Sequence, residues 1–183
     1  MEKKESIRKK FLLIRKKKYF EINESFFNPL IKLLKKNHNN KKKNISIYYP
    51  NFYELNILKI FNVEYFRKSS FSLPIVGQNN SMQFYKWKLN EVLTLNKYGV
   101  PEPIKSKAIV PDVMLLPLLA YDKQKNRLGY GKGFYDKYLN RYFNKHKNIL
   151  TVGIAFSFQN HLNLPVNSKD FKLDFIITEK GIL

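Results

Sequence analysis

The chain has 183 residues, of which 44% are hydrophobic and 15% aromatic, enough for one packed core and well clear of the apolar-poor composition that keeps chains unfolded. It has no cysteine, which excludes disulfides, thiolate nucleophiles and cysteine-ligated zinc. Its net charge of +20 attracts phosphates and other polyanions, but the lysines scatter along the chain instead of forming one stripe, so neither nucleic acid nor a membrane is expected as partner.

Near the start, Ile7, Phe11 and Ile14, then Phe26, Phe27, Leu30, Ile31 and Leu34, recur at three- and four-residue steps. This spacing predicts one helix over about 5–18 and a second over about 23–36, ended by a solvated polar run at 37–43. Lys9, Lys10, Arg15 and Lys16 interrupt any signal-peptide core, and no apolar run approaches the ~20 residues of a membrane span. A cytoplasmic location is therefore expected.

Residues 45–49 are β-branched and aromatic and lie between Asn44 and Pro50, which predicts a strand. Leu55, Leu58, Ile60, Phe61 and Val63 suit a helix over 55–66, and shorter strands are expected at 72–76 and 83–88. Segment 96–103 is expected to be irregular, because Pro101 and Pro103 lack a donor and fix φ. Residues 108–119 form the strongest strand signal, with Val113, Met114, Leu115 and Leu116 in one apolar run, as in a central parallel strand. A polar turn at 122–126, a glycine-rich loop at 127–135, a helix to Phe143, and strands at 149–156 and 175–178 complete the pattern. Strands alternating with helices predict a single three-layer α/β/α domain over 1–183 with a mostly parallel central sheet. His38, His146 and His161 have no ligand spacing and are read as surface residues.

The loop Arg127-Leu128-Gly129-Tyr130-Gly131-Lys132-Gly133-Phe134-Tyr135 sets glycines at alternate positions, carries two cations and runs into a helix. Glycines let the main chain approach a ligand so that several N–H groups converge on one oxyanion, and the helix adds its positive end. The spacing matches neither the Walker A motif nor the dinucleotide fingerprint, and a structural turn is the competing reading. Asp136, in the first turn of the helix, either complements the helix dipole or, with a second acid such as Asp170 or Asp174, holds Mg²⁺ beside a polyphosphate.

RLGYGKGFYDKYL at 127–139, preceded by IVPDVMLLPLLAYDKQKN at 109–126, resembles the signature of the 5-formyltetrahydrofolate cyclo-ligases, also called 5,10-methenyltetrahydrofolate synthetases. The resemblance continues in register through Lys4-Glu5-Ser6-Ile7-Arg8, Tyr49 with Glu54, Gly99-Val100-Pro101-Glu102-Pro103, Val152-Gly153-Ile154-Ala155-Phe156 with Gln159, and the closing segment from Pro165 through Asp170 to Thr178. It implies ATP contacts at Lys4, Glu5, Ser6, Ile7 and Arg8 and along the loop from Arg127 and Leu128 to Tyr135. Folate contacts are implied at Tyr49, Glu54, Tyr130, Gly131, Lys132, Gly133 and Phe134, and Mg²⁺ at Asp136 and Asp170. The implied reaction is ATP- and Mg²⁺-dependent closure of 5-formyltetrahydrofolate to the 5,10-methenyl form through a phosphorylated formyl group, with Lys132, Arg127 and Tyr135 as catalytic residues. A monomer acting on small molecules is expected, the surplus lysines suiting a polyglutamylated folate tail.

Overall fold

A computed structural model of the chain describes residues 2–37, 43–143 and 149–183. His38 and His146, and most of the run predicted at 37–43, lie outside the described residues. An eight-stranded sheet has the order β12 (Gly181–Ile182), β11 (Phe175–Thr178), β10 (Leu150–Ile154), β7 (Val113–Pro117), β1 (Asn44–Ser46), β2 (Ser70–Val76), β3 (Met82–Lys86) and β6 (Ala108–Ile109). Its centre is parallel: β1 (Asn44–Ser46) pairs with both β2 (Ser70–Val76) and β7 (Val113–Pro117), while β10 (Leu150–Ile154) joins β7 to β11 (Phe175–Thr178). The margins are antiparallel, with β3 (Met82–Lys86) and β6 (Ala108–Ile109) on one side and β12 (Gly181–Ile182) on the other.

Side-chain alternation along β7 builds two cores. Val113 and Leu115 face the cluster made with α2 (Asn28–Asn37), whereas Met114 and Leu116 face the cluster made with α3 (Phe134–Phe143). Helices therefore cover both sides of the sheet, giving the three layers read from the sequence. The α2 helix is preceded by a 3-10 turn at Glu24–Phe27, where the Asn23 side chain accepts from the Ser25 N–H at 3.1 Å, so the single helix predicted over 23–36 is two pieces. The first helix, α1 (Lys4–Lys18), carries Glu5 in its first turn and four basic residues in its last, matching the helix dipole. No described helix is long and apolar enough to cross a membrane.

Three further expectations are corrected. The helix predicted over 55–66 is two 3-10 turns, Ile57–Asn62 and Glu64–Phe66; β-branched Ile57, Ile60 and Val63 lower α-helix propensity, and Leu55, Ile57, Ile60 and Phe66 are buried without a full helical face. The strand predicted over 108–119 breaks at Pro111, so that β6 lies at the sheet edge and β7 at its centre. Segment 96–103 is partly regular: β5 (Pro101–Pro103) pairs with β4 (Leu93–Leu95) in a separate hairpin. Alternate residues of a two-stranded ladder turn their N–H outward, so two prolines one residue apart remove no ladder bond.

Candidate active site

The parallel strands deliver their following segments to one edge of the sheet, the edge where open α/β sheets bind ligands. After β1 comes the turn 50–54, after β7 the carbonyls of Leu118 and Leu119, and after β10 the buried Gln159, whose amide donates to both carbonyls at 2.8 and 3.0 Å. The hairpin of β8 (Ala120–Tyr121) and β9 (Arg127–Leu128), closed by the predicted polar turn, launches the glycine-rich loop. Helix α1 lies across it, with Ile7 and Phe11 packed on Leu119, Ala120 and Leu128.

The loop is threaded between arginines. Arg8 donates from Nε to the Gly129 carbonyl at 2.9 Å, and its guanidinium lies against Gly131, where an added Cβ would stand 3.0 Å from Cζ. Gly131 at φ +92° and Gly133 at φ +70° occupy the left-handed region that side chains disfavour. Arg127 is committed to Asp136 at 2.8 Å, and its guanidinium covers the Tyr135 ring at 5.6 Å. Lys132 is exposed; among the described residues its ammonium meets only the Tyr98 ring, at 5.7 Å, and no carboxylate. Phe134 is half-buried beside the same ring.

The two acids assigned to a metal are brought together. Asp136 Oδ1 accepts from Arg127 and from the Phe171 N–H at 3.1 Å, which places Asp170 next door. Asp170 Oδ2 accepts from Lys4 and from the Asn167 N–H at 2.7 Å. Each carboxylate keeps its second oxygen without a partner among the described residues. No group of three or more ligating side chains exists among them; Mg²⁺ typically takes one or two carboxylates together with phosphate oxygens. Of the remaining N-terminal residues, Glu5 and Ser6 are exposed, bonded to Lys9 and Glu2, and Ile7 is buried as packing.

On the opposite wall Glu54 is 8% exposed. Its Oε2 accepts from the Asn51 N–H at 2.9 Å and its Oε1 from the Tyr130 hydroxyl at 2.8 Å. Burial pushes its carboxyl up to about 7, against the opposing pull of the Arg15 charge and these hydrogen bonds. Burial also raises the hydroxyls of Tyr130, Tyr135 and Tyr48, helped by the Glu54 charge, so all three keep their protons. Tyr130 is 39% exposed, with its hydroxyl turned inward to Glu54. Tyr49 is half-buried against Trp87, ring to ring at 6.4 Å.

Sequence reasoning missed three residues. Phe52 and Tyr53 hold φ of +47° and +59°, unusual for bulky side chains, and are 59% and 49% exposed. Phe52 faces the Tyr130 ring at 6.3 Å and Tyr53 the Tyr19 ring at 6.0 Å. Arg15, 1% exposed, donates to the Tyr130 hydroxyl and to the Leu118 carbonyl. Its signal was its place on the buried stripe Ile7, Phe11, Arg15, where an apolar residue is expected. His161, read as a surface residue, is half-buried against Phe11 and pairs with Glu2 at 3.5 Å.

The profile of the 5-formyltetrahydrofolate cyclo-ligase family matches residues 1–179. A probable 5-formyltetrahydrofolate cyclo-ligase of Schizosaccharomyces pombe is 30% identical over 130 residues, 63% of this chain and 64% of that protein, so the match spans just under two thirds of that relative. The 5-formyltetrahydrofolate cyclo-ligase of Haemophilus influenzae is 29% identical over 138 residues, 72% of this chain and 73% of its own. The solved 5,10-methenyltetrahydrofolate synthetase of Aquifex aeolicus superposes with a TM-score of 0.74 at 29% identity, covering 98% of this chain and 91% of that one. The synthetase from Mycoplasma pneumoniae shares the fold, with a TM-score of 0.74 at 23% identity over 96% of this chain and 98% of that one.

Proposed function

The chain belongs to the 5-formyltetrahydrofolate cyclo-ligase family, and we propose that it uses ATP to close 5-formyltetrahydrofolate into 5,10-methenyltetrahydrofolate, releasing ADP and phosphate. The whole chain is read as one domain working in the cytoplasm on small molecules. The observation that carries this reading is the junction at Tyr130: a loop built for phosphate and a buried acid suited to a polar heterocycle meet through one hydroxyl.

In the proposed reaction the formyl oxygen on N5 attacks the γ-phosphorus while the bond to the ADP oxygen breaks. N10 then adds to the formyl carbon and loses its proton, and the carbon–oxygen bond breaks as phosphate leaves with the former formyl oxygen. Such a transfer asks for positioning and charge stabilisation more than covalent participation by the protein. The main-chain N–H groups of Gly129, Gly131 and Gly133 face the phosphates, with Arg8 and Lys4 behind them. Lys132, free of any carboxylate among the described residues, swings to the transferring group. Arg127 and Tyr135 hold the loop and Asp136 in place.

Asp136 and Asp170 would hold Mg²⁺, which when bound neutralises charge on the phosphate oxygens. Glu54 accepts from a substrate N–H, with Tyr49, Phe52 and Tyr130 lining the flat ring system. Mixing the chain with Mg-ATP and 5-formyltetrahydrofolate should raise the absorbance band of the methenyl product, and ¹⁸O placed in the formyl group should appear in the released phosphate. Turnover that leaves the label out of phosphate would contradict the phosphorylated intermediate, and no turnover would contradict the activity.

A further inference from the structure

An arginine buried to 1% on the apolar stripe of α1 is costly unless its charge is answered, and among the described residues the one carboxylate it approaches is reached through another side chain. Its Nη2 donates to the Tyr130 hydroxyl, its Cζ lies 5.5 Å from the Tyr130 ring centre, and its Nη1 donates to the Leu118 carbonyl at 3.3 Å. Gln159 already donates to that carbonyl at 2.8 Å, and Nε of Arg15 is buried without a partner, so the hydroxyl of Tyr130 is what the guanidinium engages most closely.

We infer that Arg15 is a positioning residue for the folate-side acid: it donates into the Tyr130 hydroxyl oxygen, so that Tyr130 turns its single proton to Glu54 and joins the phosphate loop to the folate pocket. A phenol has one proton to give, and with Arg15 occupying the oxygen the proton has one direction left. Glu54 in turn holds the Asn51 N–H and so the turn that carries Phe52 and Tyr53. Tyr48 from the segment after β1, Tyr135 from α3, Tyr130 from the loop and Arg15 from α1 face Glu54; the three tyrosines are neutral, and Arg15 brings the positive charge. What the acid does rests on the cyclo-ligase reading, whereas the chain Arg15–Tyr130–Glu54 rests on geometry alone. Because Tyr130 stands between two glycines of the loop, nucleotide binding and folate binding become linked through it, and linkage of this kind is reciprocal.

The test compares Arg15→Met, Tyr130→Phe and the double variant with the unmodified chain. Each single change is expected to raise the KM for 5-formyltetrahydrofolate about tenfold, as loss of a hydrogen bond to a charged group does, while the KM for ATP stays within about threefold. The double variant should be no worse than either single one, since Arg15 acts through Tyr130. In the ligand-free chain, ¹³C NMR of the Glu54 carboxyl should show its titration moving to higher pH in both variants, which a residue of purely structural value would not cause. A folded Arg15→Met chain with unchanged folate KM and unmoved titration overturns the inference, as do effects that multiply in the double variant. Should Arg15→Met fail to fold, an unmoved titration in Tyr130→Phe overturns it equally. An unmodified chain without turnover would remove the cyclo-ligase reading, and the carboxyl titration, which needs no substrate, would still decide the linkage.

Discussion

Replacing Glu54 with glutamine is expected to stabilise the chain above neutral pH while weakening its hold on folate. Burial raises the carboxyl from an ordinary 4.5 to about 7, so between those values the folded chain keeps a proton that the unfolded chain has released. The stability this contributes is complete below about 4.5 and is lost as pH rises through about 7. Full ionisation of the buried group costs about 3 kcal/mol at about 1.4 kcal/mol per tenfold. Glutamine removes that cost, but it leaves the Tyr130 proton poorly accepted, a loss of about 1 kcal/mol. Urea unfolding of both chains should show the variant about 1 kcal/mol weaker near the ordinary carboxyl range and about 2 kcal/mol stronger above neutrality. A difference that stays flat across this range would refute burial as what governs Glu54, and the variant's KM for folate should rise at least about tenfold.

Lys132→Ala should lower kcat about 10²- to 10³-fold, as loss of one charge-stabilising group does, with little change in Tm because Lys132 meets only a tyrosine ring among the described residues. Near-normal kcat would remove Lys132 from the transfer step. Gly131→Ala should cost about 1–3 kcal/mol of stability in thermal unfolding and raise the KM for ATP, because its Cβ meets Arg8 at 3.0 Å and its φ is +92°. Gly133→Ala, with φ +70° but open space around it, should show the backbone cost of about 1 kcal/mol without displacing Arg8. Phe52→Gly relaxes a left-handed residue with an exposed ring, so it should gain about 1 kcal/mol of stability and lose folate affinity, both measurable by unfolding and by KM.

What was legible in the sequence was what local pattern dictates. The apolar run of β7, the last strand at Phe175–Thr178 and the turn from glycine loop to α3 follow from burial period and glycine placement. Element type failed where tertiary burial replaced regular structure, as at 57–66, and where prolines alternated in a two-stranded ladder, as at Pro101 and Pro103. Within the candidate site, the glycine loop and the Asp136 that follows it could be located from the sequence because they are close in sequence and shared with a family signature. The meeting of Arg15, Glu54 and Tyr130 was not, because Glu54 and Tyr130, separated by 76 positions, come together only when the turn after β1 meets the loop launched by the separate β8–β9 hairpin. Nor does any local rule predict two consecutive aromatic residues at positive φ; the fold holds them there through the Asn51–Glu54 turn.

The central claim is that the loop 127–135 holds the terminal phosphate of the nucleotide beside Glu54, and the structure of the Mg-ATP complex tests it most directly. The γ-phosphate is expected among the N–H groups of Gly129, Gly131 and Gly133, with Lys132 turned away from the Tyr98 ring toward it and the metal between Asp136 and Asp170. A nucleotide seated instead in the open cavity of about 440 Å³ between Phe20, Pro29, Thr178 and Gly181, leaving the glycine loop unoccupied, would contradict it.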